Sequence, residues 1–256
     1  MKQTAALMII LVIMAGCSYQ ETKEKDELFI SAAASLTEAM DELVHAFTKE
    51  YPDVDVTTNF GSSGQLSRQI QQGAPVDIFL SADQTWMDTL EDQGRIFSKT
   101  RIDFAANQLV MIAKKENTAT SDNLDALAQN SRDQIAIGNP DNVPAGRYTK
   151  EALMHEDLWD LLEDQFVFAK DVSQVLAYVE SGNTEIGFVY KTDADRSDHV
   201  QVITTIDASL HEPIVYPAAV VKTSINRKTA EAFLSFLESD RAQTILNQHG
   251  FLSVNE

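Results

Sequence analysis

The sequence predicts an α/β protein built as two lobes, and three observations predict it. Beyond residue 27 the chain continues for about 230 residues, more than a typical single domain needs. Apolar runs of strand length recur along that stretch, with amphipathic helical patterns between many of them. Several strand-to-helix junctions carry residues that start helices. Alternation of this kind argues for parallel sheets, whose binding crevices lie at the carboxyl ends of strands where helices begin.

The expected strands are Leu28–Ala32, Val54–Phe60, Asp77–Leu80, Leu109–Ala113, Ile135–Gly138, Phe166–Ala169, Ile186–Tyr190, Val200–Thr204 and Ile214–Val221. Between the first two, Leu36–Phe47 sets Leu36, Met40, Leu43, Val44 and Phe47 on one helical stripe. Ala230–Leu246 repeats the device with Phe233, Phe236, Leu237 and Ile245, and reads as one helix. Ser35-Leu-Thr-Glu38 and Asp171-Val-Ser-Gln174 have the spacing of capping boxes, and Pro144 stands where a first helical residue would. Ser62-Ser63-Gly64 precedes the helical pattern Leu66–Ile70 in the same manner. Each such terminus leaves backbone N–H groups without intrahelical partners, and with the helix dipole these favour an anion without any cationic side chain. A capping box alone is more often just a helix start.

The N-terminus has a different character. Residues 1–16 place Lys2 before a short apolar run and then small residues up to Cys17. The apolar stretch Ala5–Ala15 falls short of the roughly 20 residues a bilayer helix needs, so residues 1–16 are expected to be a secretory signal peptide. Met14-Ala15-Gly16-Cys17 resembles the lipobox of bacterial lipoproteins, which implies cleavage before Cys17 and acylation of its thiol; Met14 stands where leucine is usual. Cys17 is the only cysteine, which excludes an internal disulfide. Residues 17–27 then read as the lipidated cysteine and a polar tether. The chain carries 39 acidic against 20 basic side chains, a net charge of −19, and loss of Lys2 makes it one unit more negative. Such acidity speaks against a nucleic-acid partner and also repels small anions at long range, so an anion site here must use local, aimed donors.

The most specific segments are AAASLTEAM (Ala32–Met40), FGSSGQLSRQIQQGAPVDIFLSADQTWMD (Phe60–Asp88), NVPAGRYTKEAL (Asn142–Leu153), DVSQVLAYVE (Asp171–Glu180), IGFVY (Ile186–Tyr190) and Gly250-Phe251. In this order they resemble the molybdate-binding proteins of bacterial ABC importers, over about Leu28–Leu252. The resemblance implies the two-lobed periplasmic-binding-protein fold (type II), an α/β architecture with its ligand in the interlobe cleft. It assigns 28–103 plus 212–256 to the first lobe and 104–211 to the second. It implies that molybdate or tungstate is held as a tetrahedral oxyanion by neutral donors: the hydroxyl and N–H of Ser35 and of Ser63, the N–H groups of Ala145 and Val172, and the phenol of Tyr190. Molybdenum is then bound only as the oxyanion, with no direct protein ligand to the metal and no cofactor. The implied partners are a membrane permease and, through the anchor on Cys17, the membrane itself. The resemblance further implies a monomer on the extracytoplasmic face of the cell membrane, or the periplasmic side where an outer membrane exists.

This agrees with the residues themselves. Hydrogen bonds to a charged group contribute roughly 1.5–3 kcal/mol each, so even half of around seven neutral donors reach the roughly 8 kcal/mol of micromolar affinity. Arg147 and Lys150 follow the VPAG turn on a helix and are expected to face solvent. An enzyme is the competing class, yet the five histidines, His45, His155, His199, His211 and His249, are scattered, form no two-His helical metal motif, and no G-x-S-x-G elbow is present. Asp83 is expected to cap a helix and Asp77 to hold a structural junction. The nearer rival is a binding protein for another oxyanion such as sulfate, which shares molybdate's charge and shape. Phosphate, protonated at neutral pH, calls for a buried acceptor that the five positions do not offer.

Overall fold

The computed structural model describes residues 25–115, 123–129 and 134–254; the apolar N-terminal run, Cys17 and most of the tether lie outside the described residues. In chain order the strands are β1 (Asp26–Ala33), β2 (Val54–Gly61), β3 (Ile78–Leu80), β4 (Ile102–Ala106), β5 (Leu109–Lys114), β6 (Ile135–Gly138), β7 (Phe166–Ala169), β8 (Ile186–Tyr190), β9 (Val200–Thr205) and β10 (Val215–Val220). They make two five-stranded sheets, ordered β2-β1-β3-β10-β4 and β7-β6-β8-β5-β9. In the first sheet β1 pairs parallel with β2 and β3, and β10 runs antiparallel to β3 and β4. The second repeats the plan, with β6 parallel to β7 and β8, and β5 antiparallel to β8 and β9. The chain crosses from the first sheet to the second at Asn107-Gln108 and returns between Thr205 and Val215.

The helices are α1 (Thr37–Glu50), α2 (Ser63–Gln71), α3 (Gln84–Asp92), α4 (Leu124–Gln129), α5 (Pro144–His155), α6 (Trp159–Leu162), α7 (Val172–Ser181), α8 (Lys191–Asp195), α9 (Arg227–Leu237) and α10 (Asp240–Gln248). Helix α1 buries Met40, Leu43, Ala46 and Phe47, a three-and-four spacing that makes one apolar stripe. Phe47 is fully buried, its ring 5.0 Å from Phe233 and 5.6 Å from Phe236 on α9. Burial of one such side chain contributes roughly 1.5–3 kcal/mol. The stripe explains why α1 and α9 share a face of the first sheet.

The structure departs from the expected elements in two places. Ala230–Leu246 is not one helix: Ser239 adopts an extended backbone (φ −72°, ψ 151°) and its Oγ accepts the N–H of Ala242 at 3.3 Å, so α9 ends and α10 begins there. Apolar residues recur at three-and-four spacing on both sides, at Ala230, Phe233, Leu234 and Leu237 and again at Ala242, Ile245 and Leu246, which is why a periodicity reading joins them. Strand β4 went unanticipated, since Ile102–Ala106 and Leu109–Lys114 are separated by only two residues yet enter different sheets. At the other end of β3, Asp77 does hold a junction: its carboxylate accepts the N–H of Phe29 at 2.9 Å and the hydroxyl of Ser224 at 2.6 Å.

Candidate functional site

All five expected site residues line one small cavity between the sheets, enclosing about 10 Å³ together with Ser62, Ala82 and Asp171 among others. Ser35 sits in a single 3₁₀ turn that follows β1, Ser63 is the first residue of α2, and Ala145 is the second of α5. Val172 opens α7 and Tyr190 ends β8. The helix starts α2, α5 and α7 therefore point their unpaired N–H groups at one place. None of the lining residues is Lys, Arg or His.

Each position has a local cause. Asp171 caps α7 with extended backbone (φ −160°, ψ 172°), and its Oδ1 accepts the N–H of Gln174 at 2.9 Å. That bond leaves the Val172 N–H outside the cap. The side chain of Gln174 returns to the N–H of Lys170 at 2.8 Å, one residue before a standard capping box would place it. On α5, Pro144 occupies the first position, where a missing N–H costs nothing. A Cβ on Gly146 would sit 1.9 Å from the carbonyl oxygen of Gly138, so only glycine lets α5 press its start onto the end of β6. Ser62 is the N-cap of α2, its Oγ accepting from the N–H of Gln65 at 3.4 Å, while Ser63 Oγ accepts the N–H of Ala82 at 2.9 Å.

Two expectations are corrected here. The Ser35–Glu38 capping box does not form: α1 starts only at Thr37, no side chain caps it, and the Ser35 hydroxyl pairs with the phenol of Tyr216 at 2.9 Å. Arg147 does not face solvent either. Its side chain is 23% exposed and spans the cleft, with Nε 3.4 Å from Asp83 and Nη1 3.1 Å from Glu212. Asp83 does cap α3, accepting the N–H of Trp86 at 3.1 Å. Burial pushes the Asp83 carboxyl above its ordinary pKa, and Arg147 opposes that rise. Sequence could not foresee this pair, which joins residues 64 positions apart.

Further contacts cross the cleft. The N–H of Gly64 donates to the carbonyl of Asn142 at 3.0 Å, and the Arg68 guanidinium donates to the Asn142 side chain. Tyr190 Oη donates to the carbonyl of Ala82 at 3.4 Å, a long bond easily exchanged. The lobes are thus drawn together over the cavity. Burial raises the Tyr190 phenol well above its ordinary pKa, reinforced by neighbouring Tyr216, so it remains a neutral donor throughout the physiological range. Larger open grooves exist, one of about 540 Å³ beside Tyr51 and Lys228 at the far end of the first sheet, but none of the five expected site residues lines it.

Behind Tyr190, Asp193 is fully buried; its carboxylate accepts the Tyr190 N–H at 3.3 Å and lies 3.5 Å from Arg196. Burial outweighs the arginine and raises its pKa from 3.8 to about 6. Between those values the native state holds a proton that the unfolded chain has released, so stability falls as pH climbs through that window. Asp193→Asn is therefore expected to reduce the difference in melting temperature between pH 4.5 and pH 7. An unchanged difference would remove Asp193 as its source.

A family profile described as "Bacterial extracellular solute-binding protein" matches residues 28–252. The chain is 39% identical over 250 residues to the "Putative ABC transporter substrate-binding lipoprotein YvgL" of Bacillus subtilis, covering 96% of this chain and 95% of that protein. It is also 39% identical over 234 residues to the molybdate-binding protein ModA of Escherichia coli, covering 89% and 90%. Among solved structures, the periplasmic molybdate-binding protein of Azotobacter vinelandii superposes with a TM-score of 0.80 at 28% identity, covering 88% of this chain and 98% of that one.

Proposed function

The chain belongs to the bacterial extracellular solute-binding protein family, and from that premise we propose that it captures molybdate, and tungstate with it, outside the cytoplasm and delivers the anion to an ABC importer. The observation that carries the reading is the convergence of Ser35, Ser63, Ala145, Val172 and Tyr190 on one cavity without a cationic side chain. A dianion there gathers two serine hydroxyls, a phenol and the backbone N–H groups of helix starts. Within each lobe these donors are held by the helix starts and strand ends that carry them, so the ordering that offsets their bonds is chiefly that of lobe closure.

The enclosed space suits about a single water molecule, less than a tetrahedral oxyanion occupies. Uptake therefore requires the lobes to part, admit the anion and close around it, and the closed form is the one the permease receives. In this reading the protein is a monomer that binds and releases its ligand unchanged, with no cofactor and no catalytic step. Sulfate is the alternative ligand, alike in charge and different mainly in size.

Titration calorimetry of protein begun after Cys17 is expected to give molybdate and tungstate affinities at least about tenfold above that of sulfate, a difference of about 1.4 kcal/mol. Equal or tighter sulfate binding overturns the molybdate assignment. The name of the Bacillus subtilis relative supports an anchor at Cys17. Cys17→Ala should release the mature protein into the soluble extracytoplasmic fraction or leave an unprocessed precursor. Membrane retention of a normally trimmed variant would show that no lipid is attached there.

A further inference from the structure

Resting on the oxyanion reading, we infer that Tyr216, held by Asn107, is a positioning residue that fixes the Ser35 hydroxyl as a hydrogen-bond donor to the anion. Asn107 lies at the crossing between the sheets, and its Oδ1 accepts the N–H of Gln108 at 2.9 Å. That bond orients the amide, so Nδ2 must face the other way, where it meets Thr192 Oγ1 at 2.9 Å and Tyr216 Oη at 3.3 Å. An amide nitrogen only donates. Tyr216 Oη therefore accepts from Asn107, and its single proton is left to find an acceptor.

The acceptor within reach is Ser35 Oγ at 2.9 Å. Tyr216 is fully buried, and leaving its O–H unmade would carry the full desolvation penalty of that group. Burial also holds the Tyr216 phenol well above its ordinary pKa, which agrees with a persistent donor. With one of its two lone pairs engaged, the Ser35 hydroxyl is oriented so that its own proton can point into the cavity that Ser35 lines. Ser63 arrives at the same polarity by another route, because its Oγ accepts the Ala82 N–H. At each serine one acceptor site is thus filled from within the protein, which orients the remaining O–H as a donor. The molecule achieves this at Ser35 with a tyrosine from β10, 181 residues away in sequence.

Tyr216→Phe keeps the ring, whose neighbours Phe104, Tyr190 and Phe251 are all aromatic, and removes the hydroxyl, while Asn107 Nδ2 keeps Thr192 Oγ1 as an acceptor. The test is a double-mutant cycle on molybdate affinity, with Ser35→Ala as the second variant and circular dichroism as a check on folding. Tyr216→Phe alone is expected to weaken molybdate binding by roughly three- to tenfold, since a mispositioned donor retains part of its bond. In the Ser35→Ala background the same change should cost nothing further, because the hydroxyl it positions is gone. The ratio of molybdate to hydrogen phosphate affinity should also fall in Tyr216→Phe, as a rotating hydroxyl can accept from a protonated anion. Equal losses in both backgrounds, or no loss in either, overturn the inference while leaving the function intact. Failure of the parent protein to bind molybdate overturns the functional reading first. Asn107→Ala, carried through the same cycle, applies the same test one step further back and should show the same dependence on Ser35.

Discussion

Val172→Pro is expected to weaken molybdate binding about ten- to hundredfold while leaving the protein folded, the equivalent of one hydrogen bond to a charged group at roughly 1.5–3 kcal/mol. The structure makes the substitution unusually clean. Val172 is the first residue of α7, where proline's fixed φ suits the helix and its missing N–H has no intrahelical use. Asp171 already has the extended backbone that a residue before proline requires, and its cap runs to the N–H of Gln174 instead of Val172. Val172→Ala supplies the control: it trims a buried side chain but keeps the N–H, and should bind nearly as the parent does. Calorimetry alongside thermal melting checks both. A tight-binding proline variant, or an alanine variant that stays folded and loses the ligand, would show that this N–H is not a donor.

Tyr190→Phe should cost a similar factor, about ten- to hundredfold in affinity. The ring is fully buried and packs 5.9 Å from that of Tyr216, so the phenylalanine fills the same space and the loss falls on the hydroxyl. In the closed form that hydroxyl reaches the Ala82 carbonyl at 3.4 Å, a weak bond that an incoming dianion readily outcompetes. Because the phenol stays protonated well past its ordinary pKa, the ratio of variant to parent affinity should be constant from pH 6 to pH 8. A variant that titrates like the parent would make Tyr190 a packing residue only.

What sequence made legible was local chemistry. The Asp171 cap, the proline at the start of α5 and the serine pair that opens α2 are each written within four residues, and each forms, though Gln174 closes on Lys170 rather than on Asp171. Resemblance named five residues far apart in the chain, and the fold gathers them at one cavity. What stayed hidden depends on long-range placement. Ser35 has the spacing of a cap, but a tyrosine from β10 reaches its hydroxyl first and α1 starts without it. Arg147 has the position of a solvent-facing helical residue until Asp83 arrives from the other lobe. Ser239 separates two apolar stripes that spacing alone reads as one. Asn107 gave no signal at all, since its value lies in where the chain crosses between sheets and in what it meets there.

The position of β10 bears on the order in which the molecule can be completed. It lies inside the first sheet between β3 and β4, and β4 has no other strand partner among the described residues. The second sheet, by contrast, uses only strands contiguous from Leu109 to Thr205. As the chain is synthesised, the second lobe can assemble while the first still lacks its fourth strand and the helices α9 and α10 that cover it. Non-local pairing of this kind is slow, because the long loop must close before the contacts return anything. The binding cleft, whose donors come from both lobes, therefore exists only once β10, the last strand in the chain, has been made and seated.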